Sequence, residues 1–421
     1  MDKSTRYKIF NDPVHGFITV PKGIVLQLID HPYVQRLRRI RQMGLGYLVF
    51  PSGEHSRFSH ALGALELMQR ILNNLREKDT TISRKEFESA LIAILLHDVG
   101  HGPLSHTLEH TFIEDFDHEK MTLAIMKRLN REFDGKLEQA IKIFTGKHEK
   151  AFLHQLVSSQ LDMDRLDYLK RDSFHTGVHE GSVGIDRIIK TMRVFRGQVV
   201  IEQKGIYAIE NYILSRRLMY MQVYLHKTVL AADALLKNIF TRVRELIGRG
   251  HKLFYASPSL RYFLEKKPSA KNGLSQELVE HYVALDDDDV FLSIKYWQDD
   301  KDPVLADLCT RFMNRSLFRT TFWSQDPTGM EKDILRERTR QYLKDSGLPY
   351  DDQILDYYIL FDQSYSEAYR YERESIWILK GQQDPIEFSQ AADTENIIAL
   401  AEPVIKPYVV HLKDIETGNI K

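Results

Sequence analysis

Residues 90–106 read Ala-Leu-Ile-Ala-Ile-Leu-Leu-His-Asp-Val-Gly-His-Gly-Pro-Leu-Ser-His. Seven apolar residues close a stretch, Arg84 to His97, that contains neither glycine nor proline, which predicts a buried helix. Val99-Gly100-His101-Gly102-Pro103 ends it, because two glycines and a proline prevent continuation. A new helix can start near Ser105. His97 and Asp98 therefore stand side by side at a helix end, where the chain leaves helical geometry and both side chains can turn toward one point. Imidazole nitrogen plus carboxylate oxygen suits a borderline or hard divalent ion. Two donors are too few for such an ion, and a lone His-Asp pair is more often a hydrogen-bonded core pair than a ligand set.

The surroundings supply more donors. Seven of the 17 histidines fall between His55 and His118, where an even spread would put about three. Clustered imidazoles are what metal and acid–base chemistry need. His60 lies in Arg57-Phe58-Ser59-His60, at the start of a helix expected over 57–78. There Leu62, Leu65, Met68, Leu72 and Leu75 recur at three- and four-residue steps. Asp164 lies in Asp162-Met163-Asp164-Arg165-Leu166-Asp167-Tyr168, in a stretch expected to be helical from Ala151 to Arg171. Asp164, Tyr168 and Asp172 follow at i, i+4 and i+8 and share one face. Two carboxylates and a phenol make a poor core stripe and a good ligand-facing wall.

Further out, Asn11-Asp12-Pro13 and His15-Gly16 predict a turn into a short strand over 17–20. A helix is expected from Ile24 to Gln42, a hairpin over 193–207, and one long helix from Ile209 to Ile247. Beyond Gly248 the pattern predicts a small α+β region, with strands at 376–380 and 408–412 around a helix near 394–402. Asp286 to Asp289 read as a solvated helix N-terminus.

The chain has 421 residues, 43% of them hydrophobic and 28% charged, with a net charge of -1. That balance disfavours a chain-wide basic surface for nucleic acid but leaves room for a local basic pocket. The one cysteine, Cys309, cannot form an internal disulfide or a thiolate cluster, which suits a reducing compartment. The first 13 residues lack a signal peptide's apolar core, and the apolar run over 90–96 is far too short to span a bilayer. A soluble cytoplasmic protein is expected. P-loop, Gly-x-Ser-x-Gly, His-Glu-x-x-His and Cys-x-x-Cys signatures are absent from the sequence.

Taken together, Arg57-Phe58-Ser59-His60, His97-Asp98-Val99-Gly100-His101 running on to His106, and Asp162 to Tyr168 resemble the HD-domain superfamily of metal-dependent phosphohydrolases. Within it they most resemble the deoxynucleoside triphosphate triphosphohydrolases, without the SAM domain that some members carry. The similarity runs from about Lys8 to Lys227. It includes Phe10 to Gly16, Gln35-Arg36-Leu37-Arg38, Phe50-Pro51-Ser52-Gly53 and Tyr224-Leu225-His226-Lys227.

The resemblance implies a mostly α fold: an HD-domain helical core with a few short strands or hairpins and a smaller α+β C-terminal region. The expected divisions are an N-terminal segment, 1–48, with a nucleotide-activator site, a catalytic core, 49–250, and a C-terminal region, 251–421. It implies that His60, His97, Asp98 and Asp164 bind one divalent ion (Mn, Fe, Mg, Ni, Co or Zn), with a second ion able to arrive with the substrate. His101, His106 and His118 would be catalytic or phosphate-contacting, with Glu109 standing where relatives carry an orienting aspartate. Arg57, Arg165, Tyr168, Asp172, Arg216 and Tyr224 match substrate-pocket positions. Gln42 and Met43 match a pair flanking the sugar in a pocket that favours deoxyribose, with methionine in place of leucine. Lys8, Asp30, Gln35 and Arg38 match an activator site between subunits, which implies a homodimer or tetramer; taken alone they read equally as a salt-bridged helix surface.

The implied reaction is hydrolysis of a deoxynucleoside triphosphate (dNTP) to deoxynucleoside and triphosphate, activated by a nucleotide. Three other readings remain open from sequence. One is an HD phosphohydrolase acting on nucleoside monophosphates or cyclic nucleotides. Another is a nucleotide sensor without turnover. The third, a nuclease, gains nothing from the near-neutral charge.

Overall fold

The computed structural model describes residues 7–104, 107–271, 273–366, 369, 375–381, 384–392 and 403–415. The chain opens as an antiparallel hairpin, β1 (Tyr7–Asp12) and β2 (Gly16–Pro21), so the expected 17–20 strand is its second arm. Asp12 shapes the turn: its Oδ1 accepts the amides of Val14 and His15, each at 2.9 Å. The single helix expected from Ile24 to Gln42 is divided into α1 (Ile24–Asp30), a turn over Pro32–Gln35 and a 3-10 stretch, Arg36–Arg39. Pro32 has no amide hydrogen to continue α1 and opens the next turn instead.

Three helices then build the frame of the site. α2 (Arg57–Glu77) starts at Ser56, whose hydroxyl caps it. α3 (Arg84–Leu96) starts at a reciprocal Ser83–Glu86 capping box, and every residue from Ser89 to Leu96 is buried. α4 (His118–Glu132) is capped by Asp117. The helix start expected at Ser105 lies outside the described residues; a short helix, Glu109–Phe112, follows.

The expected 151–171 helix is broken. A turn at Ala151–Gln155 precedes irregular chain over 156–162, and α5 (Met163–Thr176) begins afresh at Asp162, which accepts the Arg165 amide at 2.7 Å. The expected 209–247 helix is broken too, into α6 (Ile206–Met219), a π turn at Tyr220–Tyr224, and α7 (Lys227–Gly248), capped by the His226 ring. Apolar spacing continues through both breaks, so periodicity does not register them.

α2 packs against α3 and α5. The second contact is close because of Gly63. A Cβ there would stand 1.9 Å from Asp167 Oδ1 and 2.2 Å from Arg171 Nη2.

The hairpin β3 (Met192–Phe195) and β4 (Gln198–Glu202) matches the expected one. Past α7 come α8 (Gln276–Val283) and α9 (Asp287–Trp297). The four aspartates do start α9, through a capping box between Asp286 and Asp289, yet Asp286 and Asp287 are buried rather than solvated. Asp287 accepts the backbone amides of Arg41 and Leu104 at 3.0 and 2.8 Å, which ties the turn after His97 to α9.

The C-terminal region is α+β as expected. β5 (Arg319–Phe322), β6 (Ile359–Ser366) and β9 (Val404–His411) form an antiparallel sheet in the order β5-β9-β6. β7 (Trp377–Leu379) pairs parallel with β4 and antiparallel with β8 (Ile386–Glu387), completing a sheet begun at Met192. The helix expected near 394–402 lies outside the described residues.

Candidate active site

His60 projects from the first turn of α2, His97 and Asp98 from the turn after α3, and Asp164 from the first turn of α5. Their donor atoms converge. His60 Nε2 lies 3.3 Å from His97 Nε2 and 3.2 Å from Asp164 Oδ1. His97 Nε2 lies 3.4 Å from Asp164 Oδ1 and 3.5 Å from Asp98 Oδ1, and Asp98 Oδ2 is 3.7 Å from His60 Nε2.

The second nitrogen of each ring decides what the first can do. His97 Nδ1 donates to the Ile94 carbonyl at 2.6 Å, and His60 Nδ1 donates to Asp167 at 2.7 Å. In the neutral rings both Nε2 atoms are thereby lone pairs, aimed at each other and at two carboxylates, where a proton or a metal ion can be held. His60 Nε2, His97 Nε2 and Asp164 Oδ1 form one tight group, and Asp98 flanks it with a different oxygen toward each histidine; electron-rich atoms so placed repel unless a cation sits among them. Two imidazole nitrogens and two carboxylate oxygens are a donor set for a borderline or hard divalent ion, so the residues fit one.

Proton affinities carry the same sign. Burial by itself lowers the His60 pKa, but its bonds to Asp164 and Asp167 outweigh this and raise it to about 10. Burial likewise opposes the rise at His97, which the Asp98 and Asp164 carboxylates drive. Burial raises Asp98 and Asp164, yet the surrounding cationic groups pull both below the usual carboxylate range: His97 and Arg57 for Asp98, His60 and His97 for Asp164. A site that holds positive charge this strongly attracts a metal ion for the same reason.

Asp167 anchors the arrangement. This fully buried carboxylate also accepts from His15 Nε2 at 2.6 Å and from Arg171 at 2.9 and 3.0 Å. Arg171 reaches on to Asp12 at 2.8 Å. The N-terminal turn is thus wired to the back of His60.

Above the four donors opens a cavity of about 410 Å³, a volume in the range of small-ligand sites. Of the expected pocket residues, Gln42, Met43, Arg57, Arg165, Tyr168, Asp172 and Tyr224 line it. Arg57 bonds Asp98, and Arg165 bonds Asp162. Asp172 is held by Tyr224 OH at 2.6 Å and by His55 Nε2 at 2.7 Å. Arg216 stands behind the wall, 6.0 Å from the Tyr220 ring centre, and its buried Nε and Nη1 have no hydrogen-bond partner among the described residues. The side-chain oxygen of Gln42 is also buried without a partner there.

The histidine pair His101 and His118 stacks at one side, ring centres 4.1 Å apart. Burial, with Arg57 nearby, holds the His101 pKa well below its ordinary value. Burial also works against the His118 proton, but Glu109, 2.7 Å from Nδ1, raises that pKa above its ordinary value. The stacked rings therefore differ in proton affinity, His118 holding its proton more tightly than His101. His106 lies outside the described residues.

Lys8 lies on β1, Asp30 ends α1, and Gln35 and Arg38 follow it; Lys8, Asp30 and Arg38 are exposed and Gln35 is half-buried. Lys8 pairs with Asp30 at 3.6 Å, Arg38 donates to Gln35 at 2.8 Å, and Arg38 lies 3.7 Å over the Phe58 ring.

Reading the sequence alone missed the supporting set, Asp12, His15, His55, Asp167 and Arg171, and also Thr107 and Asp233, which meet at 2.6 Å in the cavity wall. The signal for Asp167 was its place one turn after Asp164. His15 and Asp12 gave only a turn pattern.

A helical frame that gathers histidine and aspartate donors under a polar, cation-lined cavity is in keeping with a phosphohydrolase. The family model for the HD domain matches residues 57–172, and that for the HD associated region matches residues 183–250. The Bacillus subtilis (strain 168) protein YwfO is 34% identical over 378 residues, covering 88% of this chain and 83% of its own. A crystal structure of a phosphohydrolase from Bacteroides thetaiotaomicron VPI-5482 superposes with a TM-score of 0.91 at 41% identity, over 96% of this chain and 99% of that one. The human deoxynucleoside triphosphate triphosphohydrolase SAMHD1 is 28% identical over 377 residues, 78% of this chain but 57% of SAMHD1. The chain belongs to the HD-domain phosphohydrolases. Among the described residues no helix is long and apolar enough to cross a membrane.

Proposed function

We propose that the protein hydrolyses dNTPs to deoxynucleoside and triphosphate, as a nucleotide-activated cytoplasmic homodimer or tetramer. One observation supports this most: four metal-type donors converge beneath a cavity whose walls carry arginines, a tyrosine pair and an unsatisfied amide. His60, His97, Asp98 and Asp164 would hold a divalent ion, which would supply an activated water and neutralise charge on the phosphoryl oxygens.

The chain's own groups do the rest. Arg57 and Arg165 present guanidinium groups to the phosphate chain, a planar fork suited to bidentate contact, and Arg216 brings two unpartnered nitrogens close behind them. Gln42 offers its buried acceptor to a sugar hydroxyl, and Met43 packs beside it. As water bonds to the α-phosphorus, the bond from phosphorus to the 5′-oxygen breaks. That oxygen takes its proton from His106, the general acid the family resemblance implies, and the attacking water gives up its own proton to solvent. Lys8, Asp30, Gln35 and Arg38 bind the activating nucleotide; Arg38 rests on Phe58, two residues before His60.

The test is product analysis with each dNTP and divalent metal, singly and in pairs. Wild-type protein should release deoxynucleoside and tripolyphosphate, and His60→Ala and Asp98→Ala should lose both bound metal and turnover while staying folded. Full turnover by either variant refutes the ligand assignment. Orthophosphate from monophosphates, with no tripolyphosphate from any dNTP, refutes the substrate.

A further inference from the structure

A second concavity lies across α4 from the catalytic turn. It occupies about 540 Å³ between the outer face of α4 and a wall formed by Ala270, Gly273, Leu274, Gln276 and Val279. The inner face of α4 belongs to the active site: Thr122 Oγ1 donates to the His97 carbonyl and accepts the Gly100 amide, each at 3.0 Å. The outer face is different in kind. Lys120, Lys127, Arg128 and Arg131 rim the groove, while Leu123, Leu274 and Val279 form an apolar floor.

The charge on this rim is largely uncompensated. Arg128 is paired with Glu280 at 3.0 Å. Lys120, Lys127 and Arg131 have no ion pair or hydrogen-bond partner among the described residues. Two nearby carboxylates are already engaged, Glu277 with Lys266 at 2.8 Å and Glu132 with His31 at 3.2 Å. Lys127 and Arg131 stand at i, i+4, a spacing at which like charges destabilise a helix. Such a face is relieved by a ligand carrying several negative charges close together.

The spacing says how that ligand lies. At ~1.5 Å rise per residue, Lys127 and Arg131 are about 6 Å apart along the axis, and Lys120 is roughly 10 Å further. The apolar floor begins at Leu123, between the two groups of cations. We propose that this groove binds a nucleoside polyphosphate, with its phosphate chain at Lys127 and Arg131 and its organic body over Leu123, Leu274 and Val279. The segment that forms its other wall is itself docked on residues next to the catalytic histidines. Glu114 exchanges backbone hydrogen bonds with Pro268 and Ala270, and Tyr282 OH donates to the Gly100 carbonyl at 3.0 Å. A ligand there sits on the outer face of the helix that begins at His118, and its binding needs no metal.

Equilibrium dialysis of ATP against full-length protein in EDTA tests this without turnover. Wild-type protein should bind one equivalent more than the Lys127→Glu/Arg131→Glu double variant, whose side chains are both exposed and whose circular dichroism should match wild type. Equal numbers of bound equivalents overturn the proposal. So does a groove-dependent affinity for a single-stranded oligonucleotide with no change in bound ATP, which would make the groove a nucleic-acid surface.

Discussion

Replacing Asp167 by asparagine keeps the shape behind His60 and removes the charge. Asp167 takes one bond from His60, one from His15 and two from Arg171, all between 2.6 and 3.0 Å. An amide has one oxygen to offer. If that oxygen takes the Oδ2 position, His60 Nδ1 and Arg171 Nε keep an acceptor, and the amide nitrogen then faces His15 and Arg171 Nη2. The bond to His60 survives in weaker form: hydrogen bonds to charged groups contribute about 1.5–3 kcal/mol and neutral ones about 1. That difference, acting on ring basicity and tautomer, predicts metal affinity about 10- to 100-fold lower, the usual effect of losing an outer-shell carboxylate. Stability should fall less than the ~3–5 kcal/mol expected for a stranded buried charge, because Arg171 keeps Asp12 at 2.8 Å. Chelator competition gives the metal affinity and urea denaturation the stability. A folded Asp167→Asn protein that holds metal as tightly as wild type would show that Asp167 does not orient His60.

Gly63→Ala should destabilise, although alanine is the better helix former by about 1 kcal/mol. Its Cβ would meet Asp167 and Arg171 inside 2.3 Å, both locked by two mutual bonds and by bonds to His60, His15 and Asp12, so a loss of about 3 kcal/mol is expected in denaturant. Glu109→Gln should lower the His118 pKa, read by NMR titration of the ring, since burial alone depresses it and Glu109 is what raises it. The sign for stability follows: charged His118 contributes fully below about pH 6.5 and its contribution is lost as pH rises through the raised value, so the variant should differ most from wild type in mildly acidic solution. Cys309 is buried, and burial pushes its thiol pKa up, so it should resist a thiol reagent in native protein and react once denatured.

What was legible in the sequence was local. His97-Asp98 ends a helix whose boundary is set by two glycines and a proline, and that boundary appears within one residue of its expected place. Breaks at Pro32, over 156–162 and at Tyr220–Tyr224 were hidden because apolar spacing runs through them; only the caps at His31, Asp162 and His226 mark them. The supporting residues were hidden for another reason. Asp162, Asp164 and Asp167 lie within six residues, and spacing cannot say which caps the helix, which faces the cavity and which turns inward. Contact with Gly63 settles it for Asp167, and that contact spans more than a hundred residues.

The division of labour among those three aspartates also explains the charge layout of the pocket. Asp162 is consumed by the helix start and by Arg165, which fixes that guanidinium at the cavity wall. Asp167 is consumed by His60, His15 and Arg171, none of which lines the cavity. Asp164 is the one left to face the donor cluster. The floor of the cavity is therefore anionic at Asp98 and Asp164, and its rim is cationic at Arg57 and Arg165. Such a floor repels a polyanion, and a cation held by His60, His97, Asp98 and Asp164 would remove that repulsion. Ligand binding should consequently be cooperative with metal: the affinity for a non-hydrolysable dNTP analogue, measured with and without Mn²⁺, should rise at least tenfold with the ion. An affinity indifferent to metal would mean the arginines alone hold the phosphates, and the four donors would then need another purpose.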